Sequence, residues 1–431
     1  MSRLVPRLSL ISSWISSSAV LFSMVIAVTG GCAPDSVEHF ESQSRALSAG
    51  ANRGNLDILF MIDNSSSMTE LQQKMLDQDP SFMTVLQNLP NGLPNIHVAV
   101  VSSDMGAPGD STASIMCTTT GDNGVFQSTA RGTCTNTTLA PGATFISNVD
   151  GQANYTGNLS DVFGCIAQLG DRGCGFEQQL ASVARALGAD GAPPPSQNAN
   201  FLRPDAELAI IILTNEDDCS APANTTIYSL NGFMQNIANP DGPIANYRCN
   251  GGPRGGHLCQ DPHAADPTAY LIPPLMAPSD AQGTATAPML DLASCQDNET
   301  GTSALTPVSQ FVNDIKALKS DPDNQILVAA IAAPAAPYTV LWGPALGGQN
   351  TQPGELWPSV MHSCGAASYG VNPAATQHPT DGSFGDPAVR ITQFTNAFPN
   401  SVLGSVCDPS FGGTLGTLAA RIGQLIEPPP L

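Results

Sequence analysis

Basic residues are scarce in this chain of 431 residues. Its 15 Lys and Arg residues stand against 36 Asp and Glu residues, which gives a formal net charge of −21. Nucleic acid is therefore a poor candidate partner, because no basic surface is present to neutralise phosphates. None of the three lysines, Lys74, Lys316 and Lys319, follows a glycine, so the chain also lacks the GxxxxGK loop that binds nucleotide phosphates.

Catalytic and zinc-binding motifs are missing as well. No GxSxG sequence is present, and the six histidines are scattered without a nucleophile at motif spacing. Neither HExxH nor CxxC occurs, which argues against a zinc site. A metal-dependent hydrolase would need a general base beside the metal, and no spacing selects one. We therefore expect a protein that is not an enzyme.

The composition indicates a folded, loop-rich protein. Hydrophobic residues make up 42% of the chain and charged residues only 12%, with 40 Gly and 36 Pro. Such a chain can fill a core while exposing a neutral polar surface. The length fits two or three units, or one α/β domain with insertions.

The first 31 residues are predicted to be an export signal. Arg3 and Arg7 precede an apolar, serine-rich run that ends at Gly30-Gly31-Cys32. Small residues before a cysteine resemble the lipobox of bacterial lipoproteins, although Thr29 stands where an aliphatic residue is commoner. The resemblance implies a membrane anchor on Cys32, and Ala33 resembles the pattern for outer-membrane sorting. An uncleaved anchor and an ordinary cleaved signal remain alternatives.

The ten other cysteines are predicted to form disulfides, because an even number in an exported chain indicates a disulfide framework. Connectivity does not follow from sequence, but proximity favours five pairs. These are Cys117–Cys134, Cys165–Cys174, Cys249–Cys259, Cys219–Cys295 and Cys364–Cys407.

Residues 32–54 have no periodicity and are predicted to be a tether, and residues 427–431 a short tail. Between them, buried-strand patterns alternate with helical ones, which predicts an α/β fold with a doubly wound, mostly parallel, Rossmann-like sheet. The strand patterns are 56–62, 96–101, 208–213, 325–332 and 402–406. The helical patterns are 69–89 (interrupted at Pro80), 160–169, 177–187, 308–319, 387–398 and 413–426. Turn-rich stretches at about 104–157, 219–307 and 334–384 are predicted to be insertions stapled by disulfides.

Asp63, Ser65 and Ser67 follow the first predicted strand in a DxSxS pattern. An Asp and two alternate serines in one turn offer hard oxygen ligands to a single cation, and Mg²⁺ suits such a site. Ligands of open α/β sheets also bind outside the carboxyl ends of strands. The alternative is that these residues cap the helix that follows.

The order of strand, DxSxS, helix and strand resembles a von Willebrand factor type A (VWA) domain over about residues 55–426. The segments 173–177 and 214–219 resemble those of VWA lipoproteins from myxobacteria and their relatives. The resemblance implies a metal-ion-dependent adhesion site with Asp63, Ser65 and Ser67 as its first residues.

Two positions depart from the family's pattern. Gly175 stands where a threonine ligand is expected, and Glu177 is the nearest oxygen donor. Asn215 stands where an aspartate is expected, and its amide oxygen brings no charge. An alternative role for Glu177 is to stabilise the first turn of a helix. The acidic residues 216–218 either supply the charge that Asn215 lacks or form a solvated loop.

These observations predict a lipid-anchored cell-envelope protein of the bacterial outer membrane. Its VWA domain would bind a partner protein, or another ligand bearing a carboxylate, through Mg²⁺, with Mn²⁺ or Ca²⁺ as alternatives. The competing hypothesis is a disulfide-stapled structural envelope protein whose metal site is degenerate.

The anchor is tested by labelling. We expect Cys32→Ala to abolish incorporation of labelled palmitate and to leave a precursor or a soluble product. The lipoprotein hypothesis is wrong if the wild-type protein itself takes up no label.

Overall fold

A computed structural model of the chain describes residues 54–89, 92–108, 117–132, 134, 138–228, 246–277, 282–284, 287–343, 357–368 and 370–426. The predicted signal, nearly all of the tether, the tail and the lipidation site Cys32 lie outside the described residues. Within those ranges, no helix is both long and apolar enough to cross a membrane.

The described residues form thirteen strands and eight α-helices, apart from a short 3₁₀ turn at Ser196–Asn198. The strands are β1 (Asn55–Ile62), β2 (Asn95–Ser102), β3 (Ile146–Val149), β4 (Gln152–Ala153), β5 (Glu207–Leu213), β6 (His257–Gln260), β7 (Tyr270–Leu271), β8 (Gln282–Thr284), β9 (Ala287–Asp297), β10 (Ile326–Ala332), β11 (Tyr338–Gly343), β12 (Trp357–Val360) and β13 (Asn400–Ser405). The helices are α1 (Thr69–Gln87), α2 (Leu159–Ala167), α3 (Gln179–Leu187), α4 (Asn246–Asn250), α5 (Val308–Lys316), α6 (Pro322–Gln325), α7 (Val389–Asn396) and α8 (Gly412–Ile426).

The central sheet has seven strands in the order β13-β10-β5-β1-β2-β3-β4. Its first five strands run parallel, and the hairpin β3–β4 extends one edge in the antiparallel sense. Side chains of β1 alternate between two apolar cores, one beneath α1, α2 and α8 and the other beneath α3, α5 and α7. A strand buried on both faces must be apolar throughout, which explains its sequence. The predicted α/β, doubly wound, mostly parallel fold is confirmed.

The predicted interruption of the first helix at Pro80 is wrong. Helix α1 runs from Thr69 to Gln87 without a break. Leu71 and Met75 before the proline, and Phe82 and Leu86 after it, pack into the same core. Burial of one continuous apolar face therefore outweighs the loss of a single helical hydrogen bond at the proline.

The two later loop-rich stretches form a second sheet together. Its order is β12-β11-β9-β6-β7, with β8 paired to β9, and the pairing is antiparallel. Strand β9 belongs to the stretch 219–307 and β11 to the stretch 334–384, so the pairing of β9 with β11 joins them. The sequence analysis predicted no strand in either stretch.

All ten cysteines outside the N-terminal region form disulfides, but four of the five predicted pairs are wrong. Only Cys364–Cys407 is confirmed. The structure replaces Cys117–Cys134, Cys165–Cys174, Cys249–Cys259 and Cys219–Cys295 with four other pairs. These are Cys117–Cys174, Cys134–Cys165, Cys219–Cys249 and Cys259–Cys295.

Tertiary packing, rather than distance along the chain, explains these pairs. The amide of Arg131 donates to the carbonyl of Cys165, which brings the segment with Cys134 beside the end of α2. Strands β6 and β9 lie next to each other, so Cys259 and Cys295 face across their shared ladder. Sequence proximity could not reveal either contact.

A buried arginine connects the two sheets. Arg390 of α7 is fully buried and binds Asp218 after β5 and Asp297 at the end of β9. Its Nη2 also donates to the carbonyl of Thr306 at 2.7 Å. A buried guanidinium is stable in the interior only if its partners compensate for the hydration that it loses on burial.

Asp217 continues this connection. Its Oδ2 accepts from the Arg390 amide at 2.9 Å and lies 2.8 Å from Nε2 of His257 in β6. The Nδ1 of His257 lies 2.9 Å from the hydroxyl of Tyr338 in β11. Asp217 and Asp218 are therefore buried structural groups. They neither compensate for the uncharged Asn215 nor form a solvated loop, the two alternatives that the sequence left open.

We expect Arg390→Met to lower the free energy of unfolding by about 3–5 kcal/mol, because it leaves two buried carboxylates without their cation. Urea unfolding followed by circular dichroism measures the change. The matched control is Arg421→Met on the exposed face of α8, which should change stability by about 0.5 kcal/mol or less. Equal effects of the two substitutions would contradict the proposed connection.

Candidate functional site

The carboxylate of Asp63 organises the carboxyl edge of the central sheet. Asp63 follows β1 and is fully buried. Its Oδ1 accepts from the Ser65 amide and from the Ser103 hydroxyl, both at 2.9 Å. Its Oδ2 accepts from the Thr214 hydroxyl at 2.7 Å. One side chain therefore joins the ends of β1, β2 and β5.

Three further oxygens lie in a row beside this carboxylate. The hydroxyl oxygens of Ser65 and Ser67 are 3.4 Å apart. The Ser67 hydroxyl donates to Oδ1 of Asn215 at 3.1 Å. Ser67 is half-buried, whereas Asn215 is fully buried. The structure thus brings Asn215 to the DxSxS turn.

The DxSxS residues do not cap α1. The residue before that helix is Met68, and it makes no side-chain capping bond. The Asp63 carboxylate is directed to the ends of three strands instead. The helix-cap interpretation of the motif is therefore wrong.

Glu177 reaches the same edge from the loop before α3. The Gly173 amide of this loop donates to the Asn64 carbonyl at 2.7 Å, and a Cβ on Gly173 would lie only 2.1 Å from Oδ1 of Asn64. A Cβ built on Gly175 would lie 3.9 Å from Oε1 of Glu177. The Glu177 carboxyl therefore lies beside Gly175, the position at which the VWA resemblance predicts a threonine.

Burial and mutual repulsion raise the pKa values of the acid groups at this edge. Burial raises the pKa of Glu177 well above its ordinary value, and the charges of Glu216 and Asp63 raise it further. Burial, followed by the charge of Asp386, raises the pKa of Glu216 to about 8. Burial also raises the pKa of Asp63, against the hydrogen bonds that it accepts. Acid groups are thus concentrated in a poorly hydrated place, where burial and mutual repulsion favour their uncharged forms.

Two disulfides fix the loops that carry these acids. Cys174, three residues before Glu177, is bonded to Cys117, and Cys219, three residues after Glu216, is bonded to Cys249. All four cysteines pack in one small apolar cluster with Phe176 and Tyr228. The Cys219 amide also donates to the Glu177 carbonyl at 2.8 Å, so the two loops are held to each other.

The sequence analysis missed several residues of this site. Ser103 and Thr214 each directly follow a buried strand, and that position was the available signal. Nε2 of Gln179 donates to the Thr214 hydroxyl at 2.9 Å. Oε1 of Gln179 and Nδ2 of Asn215 are buried without a hydrogen-bond partner.

In the part of the chain that the structure describes, no group of three or more His, Cys, Asp or Glu residues is arranged to hold a metal ion. The donors at this edge are of another kind: serine hydroxyls, an amide oxygen and the Glu177 carboxyl. Such hard oxygens are the ligands that Mg²⁺ prefers.

No protein-family model and no curated protein matches the chain. Among solved structures, the vWF domain of the type V pilus tip protein Mfa5 from Porphyromonas gingivalis aligns at 12% identity with a TM-score of 0.33, over 88% of this chain and 98% of that one. The pilus adhesin SpaC from Lactobacillus rhamnosus GG aligns at 10% identity with a TM-score of 0.31, over 86% of this chain and 30% of that one.

The pilus adhesin RrgA from Streptococcus pneumoniae aligns at 10% identity with a TM-score of 0.32, over 86% of this chain and 44% of that one. The chain spans less than half the length of either pilus adhesin. Likenesses at this level establish neither the family nor the function of this chain.

The role of the Cys117–Cys174 bond is tested by amide exchange. Replacing both cysteines with alanine should cost about 4 kcal/mol of stability by the chain-entropy model. It should also speed exchange of the Gln178 and Cys219 amides, which hold the Glu177 loop.

The control is the Cys134/Cys165 double alanine variant, whose disulfide closes a comparable loop away from these amides. It should lose about as much stability while leaving both amides protected at matched global stability. Equal acceleration in the two variants would show that the disulfide does not hold the loop.

Proposed function

We propose that this protein is a lipid-anchored component of the bacterial cell envelope that binds a partner through a divalent cation. The cation, most suitably Mg²⁺, would be held by Ser65, Ser67 and Asn215, with Asp63 orienting the turn and Glu177 supplying a carboxyl oxygen. The observation that carries the proposal is the row of three oxygens beside Asp63.

The spacing of these oxygens suits magnesium. Mg²⁺ demands near-octahedral ligands at 2.0–2.1 Å, so adjacent ligand oxygens lie about 3 Å apart. The two separations of 3.4 and 3.1 Å are close to that value. The buried, mutually repelling acids beside them favour a cation, because a positive charge stabilises their ionised forms.

The location also suits ligand binding. Asp63 follows β1 and Asn215 follows β5. Strands β2 and β5 flank β1 on opposite sides, so the strand order reverses at β1. Open α/β sheets bind ligands at this reversal of strand order. A cation with a free coordination position there would accept a carboxylate of the partner, as the VWA resemblance implies.

Two features support the envelope location. The first is the set of five disulfides, because disulfides form and persist in oxidising compartments outside the cytoplasm. The N-terminal sequence ends in the lipobox-like Gly30-Gly31-Cys32. Two acyl chains or more on one cysteine would make the anchorage stable.

The second candidate is a structural envelope protein with a degenerate site. The hydrogen bond from the Ser67 hydroxyl to Oδ1 of Asn215 favours it, because these two groups satisfy each other without a cation. The repulsion among the acid groups around Glu177 favours the cation site instead.

Magnesium calorimetry on the purified soluble part separates the candidates. We expect wild-type binding, loss of binding in Asp63→Ala, and about tenfold tighter binding in Asn215→Asp. That gain is about 1.4 kcal/mol, a small part of the attraction between a carboxylate and a divalent ion.

The matched control is Asn324→Asp, which adds the same charge on the exposed helix α6 before β10, at the opposite end of the sheet. It should leave the Mg²⁺ affinity unchanged. If neither the wild type nor Asn215→Asp binds Mg²⁺ or Mn²⁺ at millimolar concentration, the structural role is correct.

A further inference from the structure

A histidine of the stretch 334–384, His362, pairs beside the candidate cation site with Asp386, which follows the stretch. Nδ1 of His362 lies 2.5 Å from Oδ1 of Asp386. The amide of Asp386 donates to the carbonyl of Asn215 at 2.8 Å. Asp386 therefore touches a proposed cation ligand with its backbone and holds His362 with its side chain.

The backbone around His362 is firmly fixed. The His362 amide donates to the Gly370 carbonyl at 2.8 Å, and its carbonyl accepts from the Asn372 amide at 2.9 Å. The ring lies against Phe384, with the ring centres 4.6 Å apart. Two residues further on, Cys364 is bonded to Cys407. This support suits a side chain that must keep one orientation.

The imidazole remains accessible. The His362 side chain is 22% exposed, whereas that of Asp386 is 3% exposed. Because Asp386 engages Nδ1, Nε2 is the ring atom that remains to meet a ligand.

The surroundings of His362 favour its charged form. Burial lowers its pKa, but Asp386 and Glu216 outweigh burial, so the pKa lies above the ordinary value. In turn, His362 is the cationic group that lowers the pKa of Glu216. The two carboxyl groups thus act on His362 in the direction of the charged imidazole.

We infer that His362 is a second recognition group for the partner and binds the same carboxylate that reaches the cation. The inference rests on the proposed function. It assigns a role to the 334–384 stretch: this insertion supplies a specificity-determining hydrogen-bond donor, Nε2 of His362, to the sheet edge. The chemical class of ligand is an acidic side chain of a partner protein, for which acetate is the simplest probe.

The experiment is a Mg²⁺ titration in acetate and in chloride at equal ionic strength. Acetate that completes the coordination sphere must tighten Mg²⁺ binding by linkage. We expect this gain in the wild type. In His362→Gln the Mg²⁺ affinity in chloride should be unchanged or higher, and acetate affinity should fall about tenfold, as for loss of one charge-assisted hydrogen bond.

The matched control is His378→Gln, in the same insertion. His378 interacts with the Gly365 carbonyl at 3.0 Å through Nδ1 and is exposed. It should keep the full acetate effect. Histidine ¹³C resonances of the wild type give an independent readout: acetate should shift the His362 signal only when Mg²⁺ is present.

The outcomes separate this inference from the proposed function. If wild-type protein does not bind Mg²⁺, the proposed function fails. If Mg²⁺ binds and acetate acts equally on wild type and His362→Gln, His362 only neutralises Glu216 and the inference alone is wrong. A loss of Mg²⁺ affinity in chloride for His362→Gln would also overturn it, because His362 would then support the cation site.

Discussion

The buried carboxylate of Asp63 is the constraint on which the sheet edge depends. Burying a charge costs several kcal/mol unless donors replace its hydration. Those donors come from the turn after β1, the residue after β2 and the residue after β5. Ile62 pairs with Ser102 on one side and with Leu213 on the other, so Asp63 necessarily stands between Ser103 and Thr214. The register of the sheet therefore sets the geometry of the site.

The register of the central sheet also explains which residues of the site could be predicted from the sequence. Apolar runs of the length of a buried strand predicted β1, β2, β5, β10 and β13. Only the DxSxS turn after the first run was assigned to the carboxyl edge of the sheet. Asp63 was found because its turn carries a recognisable spacing. Ser103 and Thr214 have the same position but no motif, and only neighbouring strands in register make them partners of Asp63.

The second sheet and His362 could not be found in the same way. Strands β6, β7, β8 and β12 have two to four residues each, which is too short for a clear alternation of side chains. Strand β9 pairs with β6 and β11, which lie far from it along the chain, and its pairing with β11 depends on the fold of the central domain. His362 gains its position from this assembly, so no local pattern announces it.

The disulfides show why distance along the chain is a poor guide. Extending a loop from 17 residues, as in the predicted Cys117–Cys134 pair, to the 57 residues of Cys117–Cys174 costs only about 1 kcal/mol of closure entropy. Packing contacts easily exceed that amount. The pairs therefore follow the tertiary structure, and two of them fix the loops of Glu177 and Glu216.

The fixed positions of these two loops help to decide between a binding site and a structural role. A glutamine at position 177 would fill nearly the same volume as Glu177 without repelling Glu216 and Asp63. The acids nevertheless meet at one poorly hydrated edge, inside a frame that prevents their separation. Ionising acids that are held together in this way costs free energy in the absence of a cation, and clusters of this kind are typical of functional sites. A scaffold has no use for that cost, whereas a cation-dependent binder converts it into affinity for the ion.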